Sequence, residues 1–341
     1  MSTKRRAATM GDVASLAGVS QQTVSRVVNA RGYVGGLTRE RVLTAMRELS
    51  YRPNIAAQAL VTGRSKTLGV ISIDSVAFGP VSILRGLERA AHERGYLVSV
   101  ARIGSLDRGS VLQALENLQR QSVEGILLNA GQDGITQELD RRRIDVPLVA
   151  VEDTLDVSVP VVALDQVAGA GAATRLLLEL GHRNVAHVAG PEDWSSARRR
   201  IEGWQTALEA AGIEPAVPLP GDWSARSGHV LGHRLARDRG VTAVFAANDE
   251  MALGVMRAMF EAGRAVPRDV SVVGFDDVPF ARYLTPPLTT VRQDFEEIGR
   301  RSVHMVLDAI DGAADAVTRA TITPELIMRE SSAPASRTPR R

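Results

Sequence analysis

Residues 11–29 read GDVASLAGVSQQTVSRVVN and predict two short amphipathic helices joined by a tight bend. Apolar side chains recur at helical spacing on both sides of Gly18, and glycine permits the bend because it adopts left-handed backbone conformations freely. Two helices formed by so few residues must pack on each other. The two apolar stripes are Val13, Leu16 and Ala17, followed by Val24, Val27 and Val28.

The second of these helices has an outer side that is almost free of carboxylates. Ser20 stands at its N-cap position, where a hydroxyl accepts a backbone N–H. Gln bridges adenine N6 and N7, Arg binds guanine O6 and N7, and Ser, Thr or Asn reach phosphates or base edges. The outer side therefore suits DNA, with an ordinary polar helical hairpin as the alternative. Its polar residues are Gln21, Gln22, Ser25, Arg26 and Asn29.

Thr38 opens a third helix, which completes a three-helix headpiece and ends at the Tyr51-Arg52-Pro53-Asn54 sequence. Residues 54–61, NIAAQALV, favour a further helix of only about two turns. An isolated helix in water needs roughly 12–15 residues, so we expect this segment to fold only with help. The apolar positions of the third helix are Val42, Ala45, Met46 and Leu49.

Positive charge is concentrated at the N-terminus. Up to Lys66 the chain has eleven Lys and Arg residues against three acidic ones, whereas the remainder has 30 basic and 36 acidic residues. The first region therefore presents the field that a polyanion requires, although the formal net charge of the whole chain is only +2. The Lys4-Arg5-Arg6 run is either a phosphate-seeking arm or a solubilising leader.

The chain has 341 residues, 44% of them hydrophobic, which predicts a small headpiece and a large body. It has no apolar run of about 18 residues and no export signal, so we expect a cytoplasmic protein without membrane contact. Zero cysteines exclude disulfides and thiolate chemistry. His229 and His233 are spaced for one helix face, but no third ligand is apparent, so we expect a solvated face and no metal. Nucleophile-elbow and P-loop motifs are missing, so we expect neither an enzyme nor a cofactor.

From Thr67 onward, short apolar runs alternate with helical stretches. Such runs predict parallel strands buried on both faces, and two successive series predict two lobes of doubly wound sheet with a ligand cleft between them. The predicted strands are 68–71, 97–100, 125–128 and 148–151, then 185–188, 243–246 and 271–275. The predicted helices lie near 81–94, 110–121, 135–143, 167–180, 197–211, 225–237 and 251–262.

Polar residues follow several of these strands. Arg198, Asn248 and Asp276 offer a fork of donors, an amide and a carboxylate, which together match the paired donors and acceptors of sugar hydroxyls. Trp223 adds an aromatic platform for the apolar face of a sugar ring. The alternatives are that Asp276 caps a turn, Asn248 caps the next helix and Trp223 belongs to the core.

The chain resembles the lac-repressor family of transcription factors. The N-terminal motifs are DVASLAGVSQQTVSRVVN, TRERV, LSYRPN and AQALVTGRSKTLGV. The body continues in family order to about Glu330 with ELGHRNVAHVAGP, SARRRIEGW, GDWSARSG, ANDEMALGVMRA, DVSVVGFDD and PPLTTVRQDFEEIG. Within the family, GDWSARSG is similar to the lac repressor subgroup itself.

The resemblance implies an α/β protein with a helix-turn-helix headpiece, a hinge helix and a periplasmic-binding-protein-like body of two doubly wound lobes. The segment near 295–322 is expected to return to the first lobe. The implied divisions are a headpiece at 1–53, a hinge helix and linker at 54–66, and a body at 67–332. The body divides into a first lobe at about 67–164 and 294–322 and a second lobe at about 165–292 and 323–332. A disordered tail at 333–341 follows the body.

The resemblance also implies site residues. The hinge helix would become ordered when two subunits pair over a palindromic operator, with Leu60 wedged between base steps in the minor groove. A plain linker hydrophobe is the alternative for Leu60. The DNA-binding set is Thr9, Ser20, Gln21, Gln22, Thr23, Ser25, Arg26, Asn29, Tyr33, Asn54, Ala57 and Leu60. The effector-binding set is Phe78, Pro80, Ile83, Asn129, Trp194, Arg198, Trp223, Asn248, Asp276 and Gln293.

These features predict a dimeric repressor that a small sugar, best matched by a galactoside, releases from operator DNA. After Glu330 the chain has two prolines and no apolar heptads, so we expect no helical bundle joining dimers into tetramers. One alternative is a regulator that binds DNA with a nucleobase or phosphorylated metabolite as co-repressor. A sugar-binding transport component and an enzyme of sugar metabolism are more remote alternatives.

Overall fold

The computed structural model describes residues 8–28, 32–52, 63–104, 107–129, 144–151, 159–313 and 319–336. The chain divides into two compact units, Met1–Ser65 and Lys66–Arg341. The predicted hinge helix at 54–61 and the predicted helix at 135–143 lie outside the described residues. Within the described ranges, no helix is both long and apolar enough to cross a bilayer.

The first unit contains the three predicted headpiece helices. Gly18 ends the first helix with φ of 61°, so the left-handed bend is confirmed. The Ser20 hydroxyl accepts the backbone N–H of Thr23 at 3.1 Å, which confirms the predicted N-cap. The third helix begins two residues earlier than Thr38. The helices are α1 (Met10–Ala17), α2 (Gln21–Val28) and α3 (Gly36–Glu48).

One hydrophobic cluster joins these helices, and it corrects the prediction for Leu16. That side chain is 50% exposed, whereas Ala14 is buried in its place. On a helical wheel Leu16 lies about 100° from Ala17, away from the face that meets the other helices. The Arg41 guanidinium donates to the carbonyl oxygen of Ala17, which satisfies the C-terminal end of α1. The buried members are Val13, Ala14, Ala17, Val24, Val27, Val42 and Ala45.

The second unit alternates strands and helices. Its helices are α4 (Phe78–Glu93), α5 (Arg108–Arg120), α6 (Gln166–Glu179), α7 (Ser195–Ala210), α8 (Ala225–Arg237), α9 (Asp249–Glu261) and α10 (Phe295–Ile310). Its first strands are β1 (Thr67–Ile73), β2 (Leu97–Ile103), β3 (Gly125–Asn129), β4 (Leu148–Val151), β5 (Val161–Leu164) and β6 (Val185–Ala189). The later strands are β7 (Leu219–Pro220), β8 (Ala243–Ala246), β9 (Ser271–Val273), β10 (Thr290–Arg292), β11 (Arg319–Ile322) and β12 (Glu325–Ile327).

Two parallel sheets form the two lobes, as the alternating pattern predicts. Among the described residues, the first sheet has the order β2-β1-β3-β4-β5-β11 and the second has the order β7-β6-β8-β9. The central strands β3, β4 and β8 are buried along their whole length, which explains their uninterrupted apolar sequences. Strands β5, β7 and β10 to β12 are absent from the predicted set. β7 and β10 to β12 are short and partly exposed, whereas β5 is a buried apolar run of the same kind as β4.

The chain crosses between the lobes three times. After β10 in the second lobe, α10 packs on α4 of the first lobe, and β11 then pairs with β5. A side chain on Gly86 would collide with the carbonyl oxygen of Phe295, so glycine is needed where α4 and α10 meet. Finally β12 pairs antiparallel with β10 in the second lobe.

The residues after β12 correct the prediction of a disordered tail that starts at 333. The Ala333 backbone N–H donates to the Ser271 hydroxyl at 3.0 Å, and its carbonyl oxygen lies 3.0 Å from His182 Nε2. The Ala335 N–H donates to the carbonyl oxygen of Leu180. Backbone hydrogen bonding of this kind does not require apolar side chains, so hydropathy gives no sign of it.

Candidate functional site

The headpiece presents the predicted DNA-reading side of α2 to solvent. Gln21, Gln22 and Arg26 are exposed, Ser25 is partly exposed, and Tyr33 is 93% exposed. α2 contains no acidic residue. This side chain set can donate and accept hydrogen bonds in the major groove without carboxylates that would repel phosphate. Asn29, Asn54, Ala57 and Leu60 lie outside the described residues.

Three other predicted DNA-binding residues already have structural roles in the headpiece. Thr9 and Asp12 form a reciprocal capping box at the start of α1. The hydroxyls of Ser20 and Thr23 lie 2.9 Å apart at the start of α2. Hydroxyls used in this way hold the helix N-termini in place. The Thr9 hydroxyl donates its proton to Asp12 Oδ2, and the contact between Ser20 and Thr23 uses the proton of one of those two hydroxyls, which leaves the other proton for phosphate.

The second unit contains a pocket between its lobes, at the carboxyl ends of the strands. Seven of the ten predicted effector residues line it, and the segments that supply them follow β1, β6, β7, β8, β9 and β10. Those seven residues are Phe78, Pro80, Trp194, Trp223, Asn248, Asp276 and Gln293. The lining is completed by Ala77, Gly79, Ser196 and Arg200.

The arginine of this pocket is Arg200, which corrects the prediction for Arg198. Arg200 is 4% exposed, and its Nη2 lies 3.6 Å from Asp276 Oδ1. Arg198 instead donates from Nη1 to the carbonyl oxygen of Glu192 at 2.5 Å. Two residues along a helix change direction by about 200°, so only one of the two arginines can point into the cleft.

A ring of three hydrogen bonds, closed by the 3.6 Å ion pair between Arg200 and Asp276, fixes the polar groups at the base of the pocket. Arg200 Nε donates to Gln166 Oε1 at 2.8 Å, and Gln166 Nε2 donates to Gln293 Oε1 at 3.0 Å. Gln293 Nε2 then donates to Asp276 Oδ1 at 2.5 Å. Arg200 also donates to the carbonyl oxygen of Ala247. The ring therefore pairs the buried charges of Arg200 and Asp276 with each other, as a low-dielectric site requires.

Gln166 is a ring member that the sequence analysis missed. It is the first residue of α6 and 5% exposed, next to the N-cap Asp165. Polar residues that follow the carboxyl ends of parallel strands converge on the cleft. The position of Gln166 just after β5 is therefore the sequence signal that could identify it. That signal was obscured because β5 itself was not predicted.

Aromatic rings cover the apolar side of the pocket. The Trp194 and Trp223 rings meet edge to face with centroids 5.8 Å apart. The Arg200 guanidinium carbon lies 3.9 Å from the centroid of Phe275, a stacked arrangement that suits a planar cation. A side chain on Gly190 would collide with the Trp223 indole, so this glycine leaves room for the ring.

Asn248 both caps a helix and lines the pocket. Its Oδ1 accepts the N–H of Met251 at the start of α9, as the alternative interpretation expects. Its Nδ2 donates to the carbonyl oxygen of Trp223 at 2.9 Å and to Glu250 Oε2 at 2.9 Å. The amide thus links the loop after β7 to the loop after β8.

The backbone at Asp276 is unusual. Its φ is 113°, a region that non-glycine residues rarely adopt, and Asp277 also has a positive φ of 53°. Asp277 is held by Arg329 at 2.6 Å and by Arg292 at 2.7 Å. Burial raises the pKa of Asp277, but the hydrogen bonds from these two arginines outweigh burial and hold the pKa below its ordinary value. These ion pairs hold the turn that aims Asp276 into the pocket.

Two other predicted effector residues lie behind the pocket lining. Asn129 is 2% exposed, and its Nδ2 donates to the carbonyl oxygen of Pro80 at 3.0 Å. It therefore positions the start of α4. Ile83 is fully buried in the core of the first lobe. It follows Pro80 by three residues, about one helical turn, on the face that packs on the sheet.

The free space inside the pocket is about 30 Å³. Pockets that hold small-molecule ligands measure about 300–1,000 Å³, so a sugar ring would have to separate the side chains or the lobes. A ligand with its own hydroxyls can replace the hydrogen bonds of this ring group by group.

His187 lies beneath this region in β6. Its ring is stacked on Phe245 at 4.7 Å and on Trp204 at 5.3 Å, and its Nδ1 lies 2.9 Å from the Phe245 carbonyl oxygen. Burial lowers the pKa of His187 to about 4, opposed by the Phe245 carbonyl and assisted by the positive charge of Arg200. The imidazole is therefore neutral at physiological pH.

The prediction of no metal ligand set near His229 and His233 needs correction. Glu261 of α9 lies opposite this pair on α8, and both Nε2 atoms are within 2.9 Å of its Oε2. Helix packing brings the carboxylate to the histidines from a distant position in the chain, so spacing along one helix could not reveal it.

Known proteins are similar to this chain in both the headpiece and the body. Residues 9–54 match the family model described as bacterial regulatory proteins, lacI family, and residues 174–332 match a periplasmic binding protein-like domain. The chain is 37% identical over 310 residues to the lactose operon repressor of Escherichia coli K12, covering 90% of this chain and 86% of the relative. It is 34% identical over 333 residues to the transcriptional repressor PurR of Haemophilus influenzae Rd, covering 95% and 98%.

A solved structure agrees with these matches. The lac repressor dimer bound to operator and the anti-inducer ONPF superimposes with a TM-score of 0.85 at 34% identity. The match covers 96% of this chain and all of that one.

Proposed function

This chain belongs to the lacI family of bacterial regulatory proteins, and from that premise we propose that a small sugar releases it from a palindromic operator. It is a DNA-binding transcriptional repressor. In the proposed mechanism, two subunits form a homodimer in the cytoplasm and their headpieces read two half-sites about one helical turn apart. α2 enters the major groove, and residues 54–61 pair over the minor groove between the half-sites.

The observation that carries the sugar proposal is the composition of the pocket. Arg200, Asp276, Gln293 and Asn248 present donors and acceptors around a small space, while Trp223 covers one side. Sugar hydroxyls need both kinds of group, and the CH face of a pyranose packs on an indole. Asp276 lies 3.6 Å from Arg200 and offsets its charge, which favours a neutral polar ligand over a phosphorylated one.

The proposed effector is a galactoside-type sugar. This rests on residues 221–228, GDWSARSG, and on the identity with the lactose operon repressor. Phe78 and Trp194 make the cleft more aromatic than a single sugar ring requires. These two aromatic rings can therefore pack against a second sugar ring or an apolar substituent of the ligand.

Release follows from coupling between the pocket and the dimer. The bound sugar breaks the hydrogen bonds among Arg200, Gln166, Gln293 and Asp276, and the two lobes change their relative orientation. This change shifts the surface through which the first lobes of the two subunits contact each other. The hinge segments then lose the pairing that orders them. Typical allosteric coupling of about 1–3 kcal/mol is sufficient for this response.

Electrophoretic mobility shift tests the proposal. The operator is first selected from a random duplex pool with the full-length protein, and the complex is then titrated with galactose, lactose and melibiose. We expect an inverted repeat and release by at least one galactoside. Release by none of these, with tighter binding in the presence of guanine or hypoxanthine, would establish the co-repressor alternative, and failure to retain any duplex would refute DNA recognition.

A further inference from the structure

A second polar cluster lies on the second lobe, outside the effector pocket. His229 and His233 project from α8, and Glu261 stands at the end of α9. One ligand atom from each residue lies within 4.8 Å of the other two. All six histidines of the chain fall in the described residues, and this is the one group there that brings two of them together with a carboxylate.

The three side chains converge on one point. His229 Nε2 lies 2.8 Å and His233 Nε2 2.9 Å from the same carboxylate oxygen, Glu261 Oε2. The other carboxylate oxygen, Oε1, accepts from Arg257 Nε at 2.7 Å. Arg257 thus holds the carboxylate from behind and turns Oε2 towards the imidazoles, the arrangement by which outer groups orient metal ligands.

The two helices that carry these residues are closely packed. α8 and α9 approach so closely that side chains on Gly228 and Gly254 would collide with the facing helix backbone. The Cβ of a residue at Gly232 would lie 2.8 Å from the Cβ of Ala258. Three donors on two helices fixed in this way are already positioned, so little ordering entropy opposes binding of an ion.

We propose that His229, His233 and Glu261 form a binding site for one Zn²⁺ ion on the second lobe, with water as a further ligand. Two imidazole nitrogens and one carboxylate oxygen form a common zinc ligand set. Tetrahedral ligands at about 2.0–2.2 Å from zinc lie about 3.3–3.6 Å apart, so the 2.8 Å and 2.9 Å contacts would open by less than about 1 Å.

Binding of the ion changes the tautomer of both imidazoles. In the metal-free state each Nε2 carries the hydrogen that it donates to Glu261. When zinc binds, Nε2 supplies its lone pair and the proton of each neutral ring moves to Nδ1. The ion replaces the two hydrogen bonds and joins α8 to α9. The proposal does not depend on the identity of the effector.

Zinc titration of the untagged, chelator-treated full-length protein tests this site. We expect one zinc per chain at micromolar zinc, measured by competition with a chromophoric chelator. His233→Gln and Glu261→Gln should each lose that zinc. The His92→Ala/His304→Ala variant removes two other exposed histidines and should retain it. Far-UV circular dichroism verifies the fold of each variant.

Cobalt substitution gives a second readout. Co²⁺ in a four-coordinate site of nitrogen and oxygen ligands absorbs visible light strongly, and we expect that band in the parent protein and in the His92→Ala/His304→Ala variant. Its disappearance in either glutamine variant supports the site. Failure of the parent protein to bind zinc, or unchanged stoichiometry in a folded glutamine variant, would overturn the proposal. Operator binding, measured on the same samples, reports separately on the proposed function.

Discussion

The predicted DNA-reading surface comes from one helix, whereas the effector pocket is assembled from segments that follow six different strands. α2 presents its polar side chains in sequence order, so the headpiece site follows from periodicity and a single N-cap. In the pocket, Arg200, Gln166 and Gln293 are distant in sequence and meet through hydrogen bonds. The site on α2 is contiguous in sequence, so it depends on local structure alone. The effector pocket is a convergent site, because its residues meet only when both lobes are packed.

The largest effect should follow from breaking the convergent site. Arg200→Ala leaves the buried Asp276 carboxylate without its cation, which costs about 3–5 kcal/mol of stability in comparable buried pairs. We expect a lower melting temperature, measured by calorimetry, and complete loss of sugar-induced release in a mobility-shift titration.

Arg198→Ala is the matched control, since it removes an arginine of the same helix that points elsewhere. It should retain both stability and release. If Arg198→Ala abolished release while Arg200→Ala responded normally, the assignment of the pocket arginine would be wrong.

The stability of the body should depend on histidine protonation, whereas the stability of the headpiece should not. The first 65 residues contain no histidine, whereas the pKa of His187 in the body is lowered to about 4 from 6.5 by burial. The unfolded chain therefore takes up a proton that the folded chain excludes. The contribution of His187 to the free energy of unfolding should be fully present above pH 6.5 and be lost towards pH 4, by up to about 3 kcal/mol.

Chemical denaturation of the full-length protein between pH 7 and pH 5 measures this decline. His187→Asn removes the titrating group and retains a donor for the Phe245 carbonyl oxygen, so its decline should be shallower. Part of the slope should persist, because burial also lowers the pKa of His182. An identical slope in His187→Asn would contradict the assignment.

A smaller effect is expected at the contiguous site. Arg26 is exposed on α2, and a bidentate contact with guanine discriminates by about 1–3 kcal/mol. Arg26→Ala should weaken the selected operator by that amount and affect random duplex much less, as measured by fluorescence anisotropy. Arg47→Ala removes an exposed arginine of α3 and serves as the control. Equal losses on both duplexes would make Arg26 a phosphate contact only.

The smallest effect should follow from removing a helix cap. Ser20→Ala removes the acceptor of the Thr23 N–H and should cost about 1 kcal/mol of headpiece stability. Thermal unfolding monitored by circular dichroism measures it. Ser20→Asn keeps a capping side chain and should restore the lost stability; if it does not, the hydroxyl has a role other than capping.

The comparison also explains which parts were predictable from sequence. The headpiece helices, the bend at Gly18 and the two parallel sheets follow from apolar periodicity and capping. The sequence does not distinguish Arg198 from Arg200, because both follow a predicted strand and only their angular position on α7 differs. Glu261 could not be paired with His229 and His233 because that contact depends on how α8 packs on α9. Short strands such as β7 carry too few residues for a periodic signal.

Reciprocal linkage between the two ligands tests the central claim most directly. The affinity of the releasing galactoside is measured by isothermal titration with and without selected operator, and the operator affinity is measured with and without sugar. If the pocket controls DNA binding, each ligand must weaken the other by the same factor. Equal sugar affinity in the presence and absence of operator would contradict the account.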